Sequence, residues 1–310
     1  MPIEILSTHK IHKSAEEAMP KYFTVHRLPD GKERAAFLKE VGPRIRGATG
    51  WGIDKGLIDA LPALEIYANA GVGYDGVDIP ACKERGIKVT NTPDVLNDAM
   101  AEITLGLMIA LSRKIVAADR YVRDGRWKKD GNYSHTTELT GRTVGILGLG
   151  RIGKEIAARC AAMKMRVVYH GRSEQPHQPY VYYKSLIEMA KDVDVLVVVA
   201  PGGAETRGIV SRDVIAALGR DAMLVNVARG TLVDEAALVE ALVSGKLGGA
   251  ALDVFEDEPK VPEALFKLDN VVLSPHQGSA TIKTRDAMGD LVVANLRAHF
   301  DGKPLLTPVA

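Results

Sequence analysis

Gly148-Leu149-Gly150-Arg151-Ile152-Gly153 stands directly after the apolar stretch Thr143 to Leu147 and directly before the helical pattern Lys154 to Met163. A strand, a glycine turn and a helix start are therefore consecutive. The three glycines have separate tasks: a tight turn, close approach of backbone to a pyrophosphate, and close packing of helix on strand. The helix N-terminus then offers unpaired N–H groups and the positive end of its dipole to the phosphates. An isolated GxGxxG is weak evidence, because glycine turns are common. Here the flanking strand and helix supply the required context, and the run reads as a dinucleotide site. Nearly half of the chain precedes it, so a complete domain has to be built from other residues.

Downstream, Arg166 to His170, Val193 to Ala200, Met223 to Ala228, Ala250 to Val254 and Val271 to Ser274 read as further strands. Helical patterns such as Val214 to Leu218 and Glu235 to Val243 separate most of them. Six parallel strands beginning at the glycine turn make a doubly wound, Rossmann-type nucleotide-binding domain over residues 99–281. Upstream, Ile3 to Ser7, Phe23 to Leu28, Ile45 to Thr49, Leu64 to Ala68 and Ile87 to Thr90 alternate with helices such as Glu33 to Val41 and Lys55 to Leu61. That alternation predicts a second, smaller α/β domain with a parallel, flavodoxin-like sheet. The final helical pattern, about Thr281 to Phe300, is long enough to return to it. The substrate-binding domain is thus expected to be discontinuous, 1–98 with 282–310, and ligands are expected in the cleft between domains.

From Asp98 to about Arg123 runs one long helical pattern with Ile103, Leu105, Leu107, Met108, Ile109, Leu111, Ile115 and Val116 spread over most of its circumference. A helix this apolar must be buried on several sides. Burial within its own subunit is one reading. A twofold interface is the preferred one, giving a homodimer through the 98–123 helix.

The 310 residues carry 40 Lys and Arg against 39 Asp and Glu, a net charge of +1, which gives no electrostatic case for nucleic acid or an anionic membrane. Val195 to Ala200, the longest apolar run, is far too short to span a bilayer. Cys82 and Cys160 lie in no metal-ligand spacing and beside no base, and read as inert packing. No metal is expected. Met1-Pro2-Ile3-Glu4 lacks the basic and apolar regions of a signal peptide, so a cytoplasmic location is expected.

An NAD site usually places an acid at the end of the second strand, on the ribose hydroxyls. Here that strand ends Tyr169-His170-Gly171-Arg172-Ser173, with no carboxylate before Glu174 beyond the turn. An acid would repel a 2′-phosphate, whereas Arg172 can fork onto one and Ser173 can donate to it. This predicts NADPH in preference to NADH; the alternative is a solvated turn with a surface arginine.

A nicotinamide enzyme acting on a carbonyl needs a proton donor, a cation for the substrate and a group that orients the donor. His276 in Leu273-Ser274-Pro275-His276-Gln277-Gly278, Arg229 in Asn226-Val227-Ala228-Arg229-Gly230 and Glu258 in Asp253-Val254-Phe255-Glu256-Asp257-Glu258-Pro259 each follow a strand. Three strand ends can converge on one cleft at the carboxyl edge of the sheet, where ligands of open α/β folds bind. Each residue also has an ordinary explanation as a cap, a surface cation or one acid in an acidic loop.

With the glycine run, this ordered set resembles the D-isomer-specific 2-hydroxyacid dehydrogenase family over almost the whole chain. Asn69-Ala70-Gly71-Val72-Gly73-Tyr74-Asp75, Asn91-Thr92-Pro93, Ala101-Glu102, Ala200-Pro201, Ala251-Leu252-Asp253-Val254-Phe255 and Ser274-Pro275-His276 carry the likeness. Gly125-Arg126-Trp127 and the Tyr169 to Ser173 strand end are most similar to its glyoxylate and hydroxypyruvate reductases that use NADPH. The resemblance implies reduction of a 2-oxo acid, with His276 protonating the carbonyl oxygen, Glu258 orienting His276, and Arg229 pairing with the substrate carboxylate. It implies substrate contacts from Trp51, Val72, Gly73 and Arg229. It implies cofactor contacts from Gly148, Gly150, Arg151, Ile152, Gly153, Arg172, Ser173, Ala200, Pro201, Thr206, Val227, Ala228, Asp253, His276 and Gly278, with Asp253 and the Ala228 carbonyl seating the nicotinamide amide. Asn97 and Met100 depart from the pattern, where smaller or hydroxylated residues are expected. Trp51, Tyr74, Trp127 and Tyr133 are candidates either for the pocket wall or for aromatic packing. Phosphite or formate dehydrogenases on the same scaffold, and nucleotide-sensing corepressors related to the family, are the rival readings.

Overall fold

The computed structural model describes residues 2–309. The chain divides into two compact units: residues up to Leu96 together with those from Ser279 onward, and Asn97–Gly278.

In the first unit, strands β1 (Glu4–Ser7), β2 (Thr24–Arg27), β3 (Ile45–Gly50), β4 (Ile66–Asn69) and β5 (Lys88–Thr90) alternate with helices α1 (Lys13–Ala18), α2 (Glu33–Val41), α3 (Lys55–Asp59) and α4 (Ile79–Glu84). All strand pairs are parallel, in the order β2-β1-β3-β4-β5, which is the flavodoxin-like order. Ile5, Ile45, Ile66 and Tyr67 are fully buried at its centre. A helix at the far end of the chain, Ile282–Phe300, packs Val292, Val293 and Leu296 against Ile5 and Ile66. That apolar face is why the C-terminal segment belongs to this unit.

The second unit opens with α5 (Asn97–Ser112), α6 (Ile115–Arg123) and α7 (Arg126–Asp130). The single helix expected over 98–123 is therefore two. Lys114 adopts a left-handed φ of 50° between them, at a cost of roughly 1 kcal/mol for a residue with a Cβ. The Ser112 carbonyl accepts bonds from the N–H and hydroxyl of Thr137 instead of continuing the helix. The break divides the apolar excess. Met100, Leu107, Met108 and Leu111 of α5 are buried within this unit, whereas Ile115, Val116 and Val122 of α6 are exposed.

Its sheet holds β6 (Thr143–Leu147), β7 (Arg166–His170), β8 (Val181–Tyr182), β9 (Val195–Val198), β10 (Met223–Asn226), β11 (Gly249–Leu252) and β12 (Val271–Leu273). Helices α8 (Arg151–Ala162), α9 (Leu186–Asp192), α10 (Arg212–Leu218) and α11 (Glu235–Val243) cross between them; the Ile282–Phe300 helix is α12. The order β12-β11-β10-β9-β6-β7-β8 is parallel throughout and follows the Rossmann winding. There are seven strands, not six. Two-residue β8 lies at the sheet margin with Val181 exposed, too short to leave an apolar pattern. Leu147 pairs with His170 and Val198, Asn226 with Val198 and Leu252, and Leu252 with Leu273. Six strands thus end in line, and the segments that follow them emerge along one edge.

Cys82 and Cys160 are free and buried. Burial pushes their thiols up to about 11 and about 12, so neither is a nucleophile at neutral pH. No helix among the described residues is long and apolar enough to cross a membrane, and no group of three potential metal ligands occurs among them.

Candidate active site

At the end of β6 the glycine run meets three different constraints. Gly148 has a φ of 102°, and a Cβ there would stand 2.7 Å from the Ala200 backbone. A Cβ on Gly153 would come within 2.2 Å of the Gly148 carbonyl oxygen, so helix packs on turn only without one. Gly150 is the opposite case: a Cβ there would meet no heavy atom within 4 Å. Gly150 is also the N-cap of α8 and gives it no side-chain cap. By contrast, α9, α10 and α11 are capped by Ser185, Ser211 and Asp234. Open space, glycine and an uncapped helix N-terminus together make a cradle that fits a pyrophosphate.

Next along the edge, Asn226 folds the loop after β10: its Nδ2 donates to the Arg229 carbonyl at 2.9 Å and its Oδ1 accepts from the Ala228 N–H at 3.0 Å. The Arg229 guanidinium donates to the Ala228 carbonyl at 2.8 Å, so the oxygen expected to seat the nicotinamide amide already has one donor. A Cβ on Gly230 would stand 1.9 Å from the Phe255 carbonyl carbon. The loops after β10 and β11 therefore touch backbone to backbone, and this brings Arg229 beside the segment that carries Glu258.

Asp253 is 1% exposed. Its carboxylate accepts from Ser274 Oγ at 2.6 Å, Gln277 N–H at 2.9 Å and Gly278 N–H at 2.9 Å, and its carbonyl accepts from His276 N–H at 2.8 Å. Those bonds shape the turn on which His276 sits with a left-handed φ of 49°. About one of the four acceptor positions of the carboxylate stays open for another donor. His276 Nδ1 lies 2.7 Å from Glu258 Oε2, and Glu258 Oε1 accepts the Phe255 N–H at 3.0 Å. Both side chains are partly exposed, at 47% and 33%. With Nδ1 engaged, the Nε2 edge of the ring is the one that can carry a proton to a ligand.

At the β7 end, Arg172 and Ser173 are both exposed. Thr206 Oγ1 donates to the Pro201 carbonyl at 2.7 Å and closes that loop. Met100 packs its sulfur where a Cβ on Gly278 would reach 2.6 Å from it, which accounts for its size as filler behind the His276 turn. Tyr133 meets the ring of Tyr121 edge-on at 5.2 Å, the packing alternative, while Trp127 is 60% exposed. A surface groove between α10 and α11, lined by Arg212, Arg220, Glu240 and Lys246 among others, gathers none of these residues.

The remaining expected site residues, Trp51, Val72 and Gly73, lie in the first unit. Asn69 Nδ2 donates to the carbonyls of Gly71 and Gly73, each at 2.9 Å, and Asn91 Nδ2 to that of Val72 at 2.8 Å. The carbonyls of this loop are thus held, while the N–H groups of Val72 and Gly73 have no acceptor among the described residues. Trp51 stands edge-on to His12 at 5.2 Å with the Arg285 guanidinium 5.7 Å over its ring. Asn69, Asn226 and Gly230 position these loops. In the sequence they stand inside the quoted strand-end motifs, but nothing local to those motifs gives them this positioning role.

A nucleotide cradle and a histidine–carboxylate pair on one edge of a Rossmann sheet is the arrangement of a nicotinamide-dependent dehydrogenase. The chain belongs to the D-isomer specific 2-hydroxyacid dehydrogenase family, whose NAD binding domain model matches residues 105–278. It is 50% identical to hydroxyphenylpyruvate reductase of Plectranthus scutellarioides and 49% identical to glyoxylate/hydroxypyruvate reductase A of Arabidopsis thaliana, in each case over 95% of both chains. Among solved structures, it is similar to NADPH-dependent glyoxylate/hydroxypyruvate reductase of Sinorhizobium meliloti in complex with NADP and malonate. That likeness has a TM-score of 0.95 and 45% identity, and covers 100% of this chain and 97% of the other.

Proposed function

We propose that this protein reduces small 2-oxo acids, glyoxylate and hydroxypyruvate among them, to D-2-hydroxy acids with NADPH, and that His276 is the acid. The observation that carries the reading is the 2.7 Å contact between His276 Nδ1 and Glu258 on the same sheet edge as the glycine cradle. When bound, the cofactor supplies hydride to C2 of the substrate. His276 gives a proton from Nε2 to the carbonyl oxygen, and Glu258 keeps the ring in that orientation. Arg229 holds the substrate carboxylate and draws on the carbonyl oxygen, with the N–H groups of Val72 and Gly73 assigned to the same carboxylate and Trp51 to the substrate side chain. The uncapped N-terminus of α8 and Gly150 hold the pyrophosphate. Arg172 and Ser173 take the 2′-phosphate, which is the basis for preferring NADPH. The remaining cofactor contacts fall to Arg151, Ile152, Ala200, Pro201, Thr206, Val227, Ala228, Asp253 and Gly278.

The test is loss of NADPH absorbance with glyoxylate, hydroxypyruvate, pyruvate, phenylpyruvate, phosphite and formate in parallel. Turnover only with phosphite or formate, or with none, overturns the reading. A second reading, an aryl-substituted pyruvate as the preferred substrate, is favoured by the likeness to the Plectranthus scutellarioides enzyme, and phenylpyruvate in the same panel decides it.

The protein is further proposed to be a homodimer, with α6 and α7 rather than α5 supplying the interface. The support is the exposure of four large apolar side chains on these two helices, Ile115, Val116, Val122 and Trp127. A monomeric mass by light scattering at micromolar concentration contradicts it. The two free cysteines support a reducing compartment, the cytoplasm.

A further inference from the structure

The turn that carries Arg172 and Ser173 is fixed from three sides. At its start, Tyr182 Oη donates to the Gly171 carbonyl at 3.2 Å. At its end, the Gln175 N–H donates to Tyr169 Oη at 2.7 Å, and Tyr169 is itself 1% exposed and anchored in β7. The third tie leaves the turn altogether: Gln175 Nε2 donates to the Leu149 carbonyl at 2.6 Å, in the middle of the glycine run. Leu149 is 2% exposed, and an amide is the donor that satisfies its carbonyl there.

The Gln175 amide therefore spans two turns with different work. One holds the pyrophosphate shared by NADH and NADPH; the other meets the 2′-phosphate that only NADPH carries. NADPH binds both turns with one covalent skeleton, so its affinity depends on the spacing between them. NADH brings only an uncharged ribose hydroxyl to that turn, with no phosphate for Arg172, and so depends much less on the spacing. We propose that Gln175 is a positioning residue for cofactor selection, a brace that sets the distance between the 2′-phosphate turn and the pyrophosphate turn before the cofactor arrives. The proposal rests on the NADPH reading above.

The experiment titrates NADPH and NADH by fluorescence into the full-length wild type, Gln175→Ala and Gln175→Glu, with unfolding temperatures measured alongside. Gln175→Glu keeps the shape and removes the donor, so one variant remains informative if the other folds poorly. Gln175→Ala is expected to weaken NADPH about tenfold and NADH by less than about twofold. The KM for NADPH should rise with kcat unchanged. Gln175→Glu should lose NADPH at least as strongly, since its carboxylate also repels the 2′-phosphate. Equal loss of both cofactors, or loss of neither, overturns the brace. A wild type that prefers NADH overturns the cofactor reading itself, and this is seen before any variant is made.

Discussion

Glu258 divides its two oxygens: Oε2 lies 2.7 Å from His276 Nδ1, and Oε1 accepts the Phe255 N–H at 3.0 Å. One oxygen thus fixes the carboxylate to its own loop while the other fixes the ring. Glu258→Gln keeps the volume but presents an amide that is pinned by the Phe255 N–H through its oxygen, leaving its NH2 toward Nδ1. A donor then faces a donor, and the ring loses its orientation. Steady-state kinetics should show kcat down about a hundredfold with little change in KM for the 2-oxo acid. Unchanged kcat would mean that Glu258 is only a loop residue.

Gly230 allows the loops after β10 and β11 to touch. Gly230→Ala places a methyl group 1.9 Å from the Phe255 carbonyl carbon, and the backbone on one side must move. Urea unfolding should show a loss of about 1–3 kcal/mol, accompanied by lower activity, because the displaced segment carries Glu258. Full stability with full activity would contradict the contact.

Arg172→Ala tests the charge at the β7 end. NADPH binding should weaken about tenfold or more while NADH binding changes little. Parallel losses would assign Arg172 to the turn itself.

His12 is the titrating group whose environment in the first unit is most telling. Burial lowers it below its ordinary value of 6.5, and this outweighs the bond from Nε2 to the Ala70 carbonyl at 2.8 Å. The folded state therefore favours the neutral ring. Its contribution to stability is fully present above 6.5 and is lost as the pH falls below that value toward the folded-state pKa. Thermal unfolding from about pH 7.5 to about pH 5.5 should show a falling Tm for the wild type and a shallower fall for His12→Gln. Parallel curves would remove His12 as the cause.

How much of this was legible in the sequence follows from how local each feature is. β6 and β7 have the limits read from the chain, Thr143–Leu147 and Arg166–His170, because runs of apolar and β-branched residues end abruptly at glycine. The break at Lys114 was not legible: no glycine or proline marks it, and apolar periodicity runs through it. It arises from the Ser112 carbonyl finding Thr137, a contact between segments that the local pattern does not encode. The same holds for the site. That Arg229, Glu258 and His276 follow strands can be read from the chain; that Gly230 must be glycine, and that Gln175 reaches Leu149, depends on which strands end side by side.

The role proposed for His276 is to supply the proton for carbonyl reduction at a cofactor site that stands without it. It is tested most directly by following NADPH consumption with glyoxylate and with hydroxypyruvate in the wild type and His276→Ala, together with NADPH affinity of both proteins. Rapid turnover is expected of the wild type, and in the variant a loss of about 10²–10⁴-fold in kcat with NADPH affinity nearly unchanged. Near wild-type turnover by His276→Ala would contradict it.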